Sequence, residues 1–97
     1  MMILALEKET EGTPAEAFAP HLRAEALRVW ELHQAGIVRE LYFRQDRTDA
    51  VLILECATLD EAWAALDSLP LVREHLIAFD LIPLKAYSGF ARLFAEK

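Results

Sequence analysis

Glu40, Tyr42 and Arg44 alternate along a stretch, Ile37–Arg44, whose residues otherwise read as a strand. Spaced i, i+2, i+4, they fall on one face and offer a carboxylate, a phenol and a guanidinium side by side. Such a set suits a small acidic or enolisable molecule. Arg44 can grip a carboxylate through two oxygens, Tyr42 can hydrogen-bond the ligand, and Glu40 can move a proton. On a solvated face the same charges would only pair with neighbours. His21 is the sharpest single candidate, because Pro20 restarts a helix there and places it in the first turn. A neutral imidazole in that position can act as a general base or as a hydrogen-bond partner. The candidate site is therefore His21 and Glu40 as proton carriers, with Tyr42 and Arg44 as ligand-binding groups.

Other chemistry is poorly supported. His21, His33 and His75 fall in separate segments and share no metal-ligand spacing, so no metal is expected. His33 is expected to finish the first helix, its ring meeting the last carbonyls. The single cysteine, Cys56, ends an apolar run with no neighbour that would activate a thiolate, and it cannot form an intramolecular disulfide. Three glycines, Gly12, Gly36 and Gly89, build no phosphate loop, and no cofactor is expected.

The elements that must position these groups follow from pattern and punctuation. Met2–Lys8 reads as a strand. Thr13-Pro14-Ala15-Glu16 reads as a capping box with proline at the first helical position. Pro20 interrupts the helix, which predicts a short turn over Pro14–Ala19, a kink, and a main helix from Pro20 to about Ala35, ended by Gly36. Phe18, Leu22, Ala26, Val29 and His33 share its face. In the following strand Ile37, Arg39, Leu41 and Phe43 take one face, and Val38, Glu40, Tyr42 and Arg44 the other. A polar turn over Asp46–Asp49 leads to Ala50–Cys56, apolar enough for an inner strand. Thr58-Leu59-Asp60-Glu61 is a second capping box, opening a helix with Leu59, Ala62, Trp63, Leu66 and Leu69 on its face. Pro70 stops it. Leu71–Ile77 holds at most a helical turn, and Phe79–Lys85 is a last strand in which Pro83 demands an edge. Gly89–Lys97 sets Phe90, Leu93 and Phe94 on one side of a possible turn.

The order β-α-β-β-α-β predicts an α+β, ferredoxin-like sandwich, an antiparallel sheet with both helices on one face, in a single domain over residues 1–97. Apolar residues make up 55% of the chain, more than a small domain can readily bury. The uncovered sheet face therefore calls for a second copy, two sheets packing face to face as a dimeric α/β barrel with a cavity between them. Sixteen acidic against ten basic residues give a net charge of -6, which argues against nucleic acid and against an anionic membrane surface. No leader pattern or membrane-spanning run occurs, so the expected address is the cytoplasm.

Leu32-His33-Gln34-Ala35-Gly36 leading to Leu41-Tyr42-Phe43-Arg44, together with Ser68-Leu69-Pro70-Leu71 and Phe79-Asp80-Leu81-Ile82-Pro83-Leu84, resembles the dimeric α/β-barrel superfamily. Within it the chain is similar to muconolactone isomerases and to YciI-like proteins. The resemblance implies a homodimer or a larger assembly of dimers, with a cavity for a small organic molecule and a cofactor-free, isomerase-like proton shift. It also leaves open a non-catalytic ligand-binding or assembly module, or a cofactor-independent monooxygenase. YciI-like proteins pair a histidine at the start of the first helix with an aspartate before a late proline. Pro20-His21-Leu22 matches the first half, while Leu69 stands where the aspartate would be. Against the isomerases, the stretch between Leu71 and Phe79 is slightly longer.

Overall fold

Antiparallel pairing ties four strands into one sheet in the order β2-β3-β1-β4. The computed structural model describes residues 1–95. The strands are β1 (Met2–Glu9), β2 (Val38–Phe43), β3 (Ala50–Glu55) and β4 (Ile77–Pro83). Helix α1 (Leu22–Gln34) joins β1 to β2, and α2 (Leu59–Asp67) with the short α3 (Pro70–Arg73) joins β3 to β4. Each connection passes over one strand, which is the ferredoxin-like arrangement expected from the element order. No helix among the described residues is long and apolar enough to cross a membrane.

Parity along the central strands separates two faces. Ile3 and Ala5 on β1 stand opposite Leu54 and Leu52 on β3, and all four are buried beneath the helices. Leu4 and Leu6, paired with Ile53 and Val51, point the other way and are only half-buried. β2 breaks its own parity. Val38 opposes Leu54, but Glu40 opposes Ile53, with a bulge between them. Val38, Leu41 and Phe43 therefore share the helix side, where Val38 was expected on the face of Glu40 and Tyr42. The extra residue, Arg39, re-aims everything after it.

Between β1 and α1 the chain makes two 3-10 turns, Ala15–Ala17 and Ala19–His21, so the proline break appears where expected. The first capping box does not form. Thr13 Oγ1 donates to the Thr10 carbonyl at 2.7 Å, closing the preceding turn, and no side chain caps the single 3-10 turn that follows. α1 ends in a Schellman motif: the Ile37 N–H reaches the Leu32 carbonyl, the Gly36 N–H reaches that of His33, and Gly36 has φ +80°. The same two bonds end α3, from Leu76 to Leu71 and from His75 to Val72. Here the left-handed position is filled by His75, at φ 59°. This reversal lets β4 begin at Ile77, two residues earlier than expected.

The second capping box does form. Thr58 Oγ1 accepts the Glu61 N–H at 3.1 Å, and the Glu61 carboxylate reaches back to the Ala57 N–H at 2.9 Å. The face of α2 is turned from the expected one. Ala62, Ala65 and Leu66 are buried and Leu69 continues their line, while Leu59 and Trp63 are 37% and 42% exposed. Two alanines let the helix backbone approach the sheet closely, and the larger Trp63 is left at the margin. Pro83 lies at the end of β4, an edge strand, where its missing N–H breaks no inner ladder.

Candidate functional site

A cleft of about 580 Å³ opens between α1 and the helix-covered face of the sheet. Its size is that of small-molecule sites. The turn before α1 contributes Phe18, α1 itself Leu22, Ala26, Val29 and Trp30, and the sheet floor Leu41, Phe43, Leu52, Ile77 and Phe79. The cleft exists because α1 stands off the sheet. Among its thirteen residues only Leu32, near the C-terminal end, is buried. At that end α1 is pinned: His33 Nδ1 donates to the Val38 carbonyl at 2.8 Å, bridging to β2 rather than to its own helix as expected. Arg28 Nε also donates to Ser68 Oγ at 2.8 Å, tying α1 to the end of α2.

Three glutamates border this largely apolar cleft, Glu7, Glu9 and Glu25, and two of them are held there by backbone amides. Glu7 extends the inward row of Ile3 and Ala5 along β1, and one of its oxygens accepts the Ala50 N–H at 2.8 Å. Glu25 falls three residues after Leu22 and four before Val29, on the inner face of α1, and accepts the Leu71 N–H at 2.9 Å. Burial pushes the pKa of Glu7 above 4.5; the amide bond opposes that, and Asp49, Glu9 and Glu25 add repulsion. Burial likewise raises the pKa of Glu25 against the pull of the Leu71 amide. Each carboxyl thus has one oxygen held by the backbone and a raised proton affinity. That combination suits giving a proton to, or taking one from, a molecule in the cleft.

The expected site residues are distributed otherwise. Glu40 and Tyr42 do come together, the Tyr42 hydroxyl donating to the Glu40 carboxylate at 2.6 Å, and this bond raises the phenol's pKa. They share a face with Ile53 and Val51, opposite to the helices. Arg44 closes onto Asp46 in the hairpin turn through two bonds, of 2.9 and 2.6 Å, and holds that carboxyl below its usual range. Of the four, only Tyr42 borders the cleft. His21 stands at the N-terminus of α1, half-buried, outside the cleft lining. One shared cavity for all four is thus not present within the chain. The reason is the two-sidedness of the sheet: β2 after its bulge sends the trio outward and Leu41 and Phe43 inward.

Glu7 and Glu25 carry a periodic signal in the sequence that the i, i+2, i+4 trio overshadows. Strand parity from Ile3 and Ala5 points to Glu7, and the spacing Leu22, Glu25, Val29 puts the glutamate on an apolar helix face. At the end of the cleft the carboxylates of Glu7, Glu9 and Asp49 lie within 4.8 Å of one another, a spacing a hard divalent cation could bridge. Asp49 is already paired with Arg47 at 2.6 Å, however, and Glu7 with the Ala50 amide. Cys56 is buried and its thiol pKa is pushed up, which leaves it unreactive.

No protein-family model matches the chain. No curated protein matches it either. Among solved structures, 5-chloro-2-hydroxyhydroquinone dehydrochlorinase (TftG) from Burkholderia phenoliruptrix AC1100, in complex with 2,5-dihydroxybenzoquinone, superposes with a TM-score of 0.73. The alignment covers 92% of this chain and 98% of that one, at 17% sequence identity. The fold is that of the dimeric α/β barrels. In this chain the helix-covered side of the sheet carries the cleft, and the bare side carries Leu4, Leu6, Val51, Ile53 and Ile82 in one apolar field.

Proposed function

We propose that the chain binds a small, largely apolar organic molecule in the cleft between α1 and the sheet, and moves a proton on it without a cofactor. The observation that carries this reading is the pair of amide-held carboxyls, Glu7 and Glu25, with raised proton affinity in a largely apolar cavity. A carboxyl that keeps its proton donates a hydrogen bond to a ligand carbonyl, and the other, ionised, accepts a proton from an adjacent carbon. This is the chemistry of an isomerase-type proton shift. The cleft presents acidic groups and no guanidinium, which favours a neutral lactone, enol or quinone over a carboxylate anion. The structural neighbour, solved in complex with 2,5-dihydroxybenzoquinone, supports a small ring as the ligand class.

In the same reading the bare sheet face is covered by a second copy. Met2, Leu4, Leu6, Val51, Ile53 and Ile82 would form the centre of the joint, and Glu40, Tyr42 and Arg44 would lie towards its edge, where a polar rim belongs. There the trio and His21 would act on a ligand only if one enters between the sheets.

A thermal-shift screen with 2,5-dihydroxybenzoquinone, neutral lactones and aromatic acids tests the proposal. A ligand at ten times its Kd adds about 1.4 kcal/mol and raises Tm by roughly 6–11 °C in a domain of this size. Glu25→Gln should leave that shift and abolish deuterium exchange into the bound ligand. A shift without exchange in the wild-type chain identifies a binding module, and preference for aromatic acids over neutral rings returns the site to Arg44.

A further inference from the structure

A helix lying on a sheet ordinarily turns polar residues to the solvent. α2 does so: Asp60, Glu61, Ala64 and Asp67 are exposed. α1 does not. At about 100° per residue Leu27 stands roughly 140° round the helix from the buried Leu32, on the side turned away from the sheet. It is 59% exposed, and Trp30, the next residue along that side, is almost equally so. With Leu22, Arg23 and Ala26 they border a shallow hollow on the outside of the domain. Large apolar groups gathered at the middle of an outward helix face mark a surface that meets another protein.

The charges around Leu27 say which protein. Arg23, Leu27 and Glu31 follow one another at intervals of four and form a single ridge, basic at its N-terminal end and acidic at its C-terminal end. Helices commonly pack with such ridges side by side. Laid antiparallel with Leu27 against Leu27, two copies of α1 bring Arg23 of each to Glu31 of the other, since both stand about 6 Å along the axis from the centre. A parallel pairing would set arginine beside arginine and glutamate beside glutamate. Among the described residues Arg23 has no acidic partner within its own chain. Arg28 takes Oε1 of Glu31 at 3.2 Å, which leaves Oε2 to accept from outside. The ridge is therefore complementary to itself in one orientation.

We infer that the outer face of α1 docks on the same face of a second copy, the two helices antiparallel about a twofold axis at Leu27, with Arg23 of each paired to Glu31 of the other. The contact is isologous and closes on itself. It lies across the helices from the bare sheet face, so it competes with no pairing there, and it does not depend on a ligand in the cleft. One helix on another covers less than the roughly 1,200 Å² of a stable interface, so the contact is weak and fills at high protein concentration.

The full-length Leu27→Cys chain, also carrying Cys56→Ala, is concentrated and oxidised with diamide. A cysteine on the twofold axis faces its own copy at disulfide distance. The linked pair should form about ten-fold faster than with Ala64→Cys, on the outer side of α2, in the same Cys56→Ala chain. Adding Arg23→Glu should slow it about five-fold, because each joint holds the charge pair twice. Arg23→Glu/Glu31→Arg reverses both charges, keeps them opposite and should restore the rate. With Leu27 and Cys56 native, sedimentation at high concentration should show the same order: a lower average mass for Arg23→Glu, and the wild-type mass for the double reversal. A Leu27→Cys rate no higher than the Ala64 control overturns the inference. So does an Arg23→Glu chain that sediments as the wild type, or a double reversal that stays with the single.

Discussion

The two long helices lie on the same face of one sheet and treat it in opposite ways. α2 buries three of its nine residues, Ala62, Ala65 and Leu66, and closes the core over Ile3 and Leu54. α1 is four residues longer and buries only Leu32. Small residues at the contact bring α2 down onto the strands. At α1, Leu22, Val29 and Trp30 line an open side while Glu25 keeps a polar group in the gap. A tight helix supplies stability, and a loose one supplies room. In a domain this small the two tasks are divided between helices, since one core cannot do both.

The contrast is most sharply tested at α2. Leu66→Ala should cost about 2–5 kcal/mol by denaturant titration, since Leu66 is 1% exposed and its removal leaves a cavity. On α1 the similar change Leu27→Ala, at 59% exposure, should stay within about 0.5 kcal/mol. Equal losses would mean that α1 also closes a core. Next in size is Trp63→Ala. With the indole at the margin of α2, the loss should be about 1–2 kcal/mol, and a loss above 3 would return Trp63 to the packed face.

His75 refines the comparison at the end of α3. A left-handed residue with a side chain costs about 1–2 kcal/mol, so His75→Gly should raise stability by about 0.5–1 kcal/mol after the extra freedom of the unfolded glycine is counted. A loss instead would show that the imidazole makes a contact worth more than the strain.

The smallest effect concerns the gap under α1. Glu7 and Glu25 hold their protons to higher pH in the folded chain than the ordinary value of 4.5. Between those values the folded state binds more protons than the unfolded state. The stability from this source is therefore complete below the ordinary pKa and is lost as pH rises through the raised one. Gln at both positions keeps an oxygen for the amides and removes the titration. The Tm of the Glu7→Gln/Glu25→Gln variant, relative to wild type, should climb between pH 4 and pH 7. A constant difference would place both carboxyls in water.

Much of the fold was legible because its punctuation is local. Pro20 breaks a helix wherever it stands, Gly36 takes a left-handed turn that other residues resist, and Thr58 with Glu61 caps whatever follows. The phase of α2 was not legible in this way, because alanines carry little hydropathy signal and yet decide how closely a helix can approach. Nor was the facing of β2. Alternation identifies which residues share a face, but an inserted residue such as Arg39 resets the count without altering composition. The candidate site suffered from both. Tyr42 and Glu40 hydrogen-bond to each other on one face, and the cleft lies behind them. Glu7 and Glu25 carried a readable periodic signal whose meaning depended on α1 standing away from the sheet, a property of the whole packing and of no single segment.

The bulge at Arg39 also bears on how such a chain can diversify. β2 is an edge strand, held through β3 alone, so its register is the least guarded in the sheet. Moving the extra residue from the bulge into the adjoining hairpin would slide residues 40–43 by one place. Glu40 and Tyr42 would then replace Leu41 and Phe43 in the cleft wall, and a greasy floor would become one bearing a carboxylate and a phenol. One relocated residue, with no change in amino-acid type, would thus exchange the chemistry of the cleft wall on this scaffold.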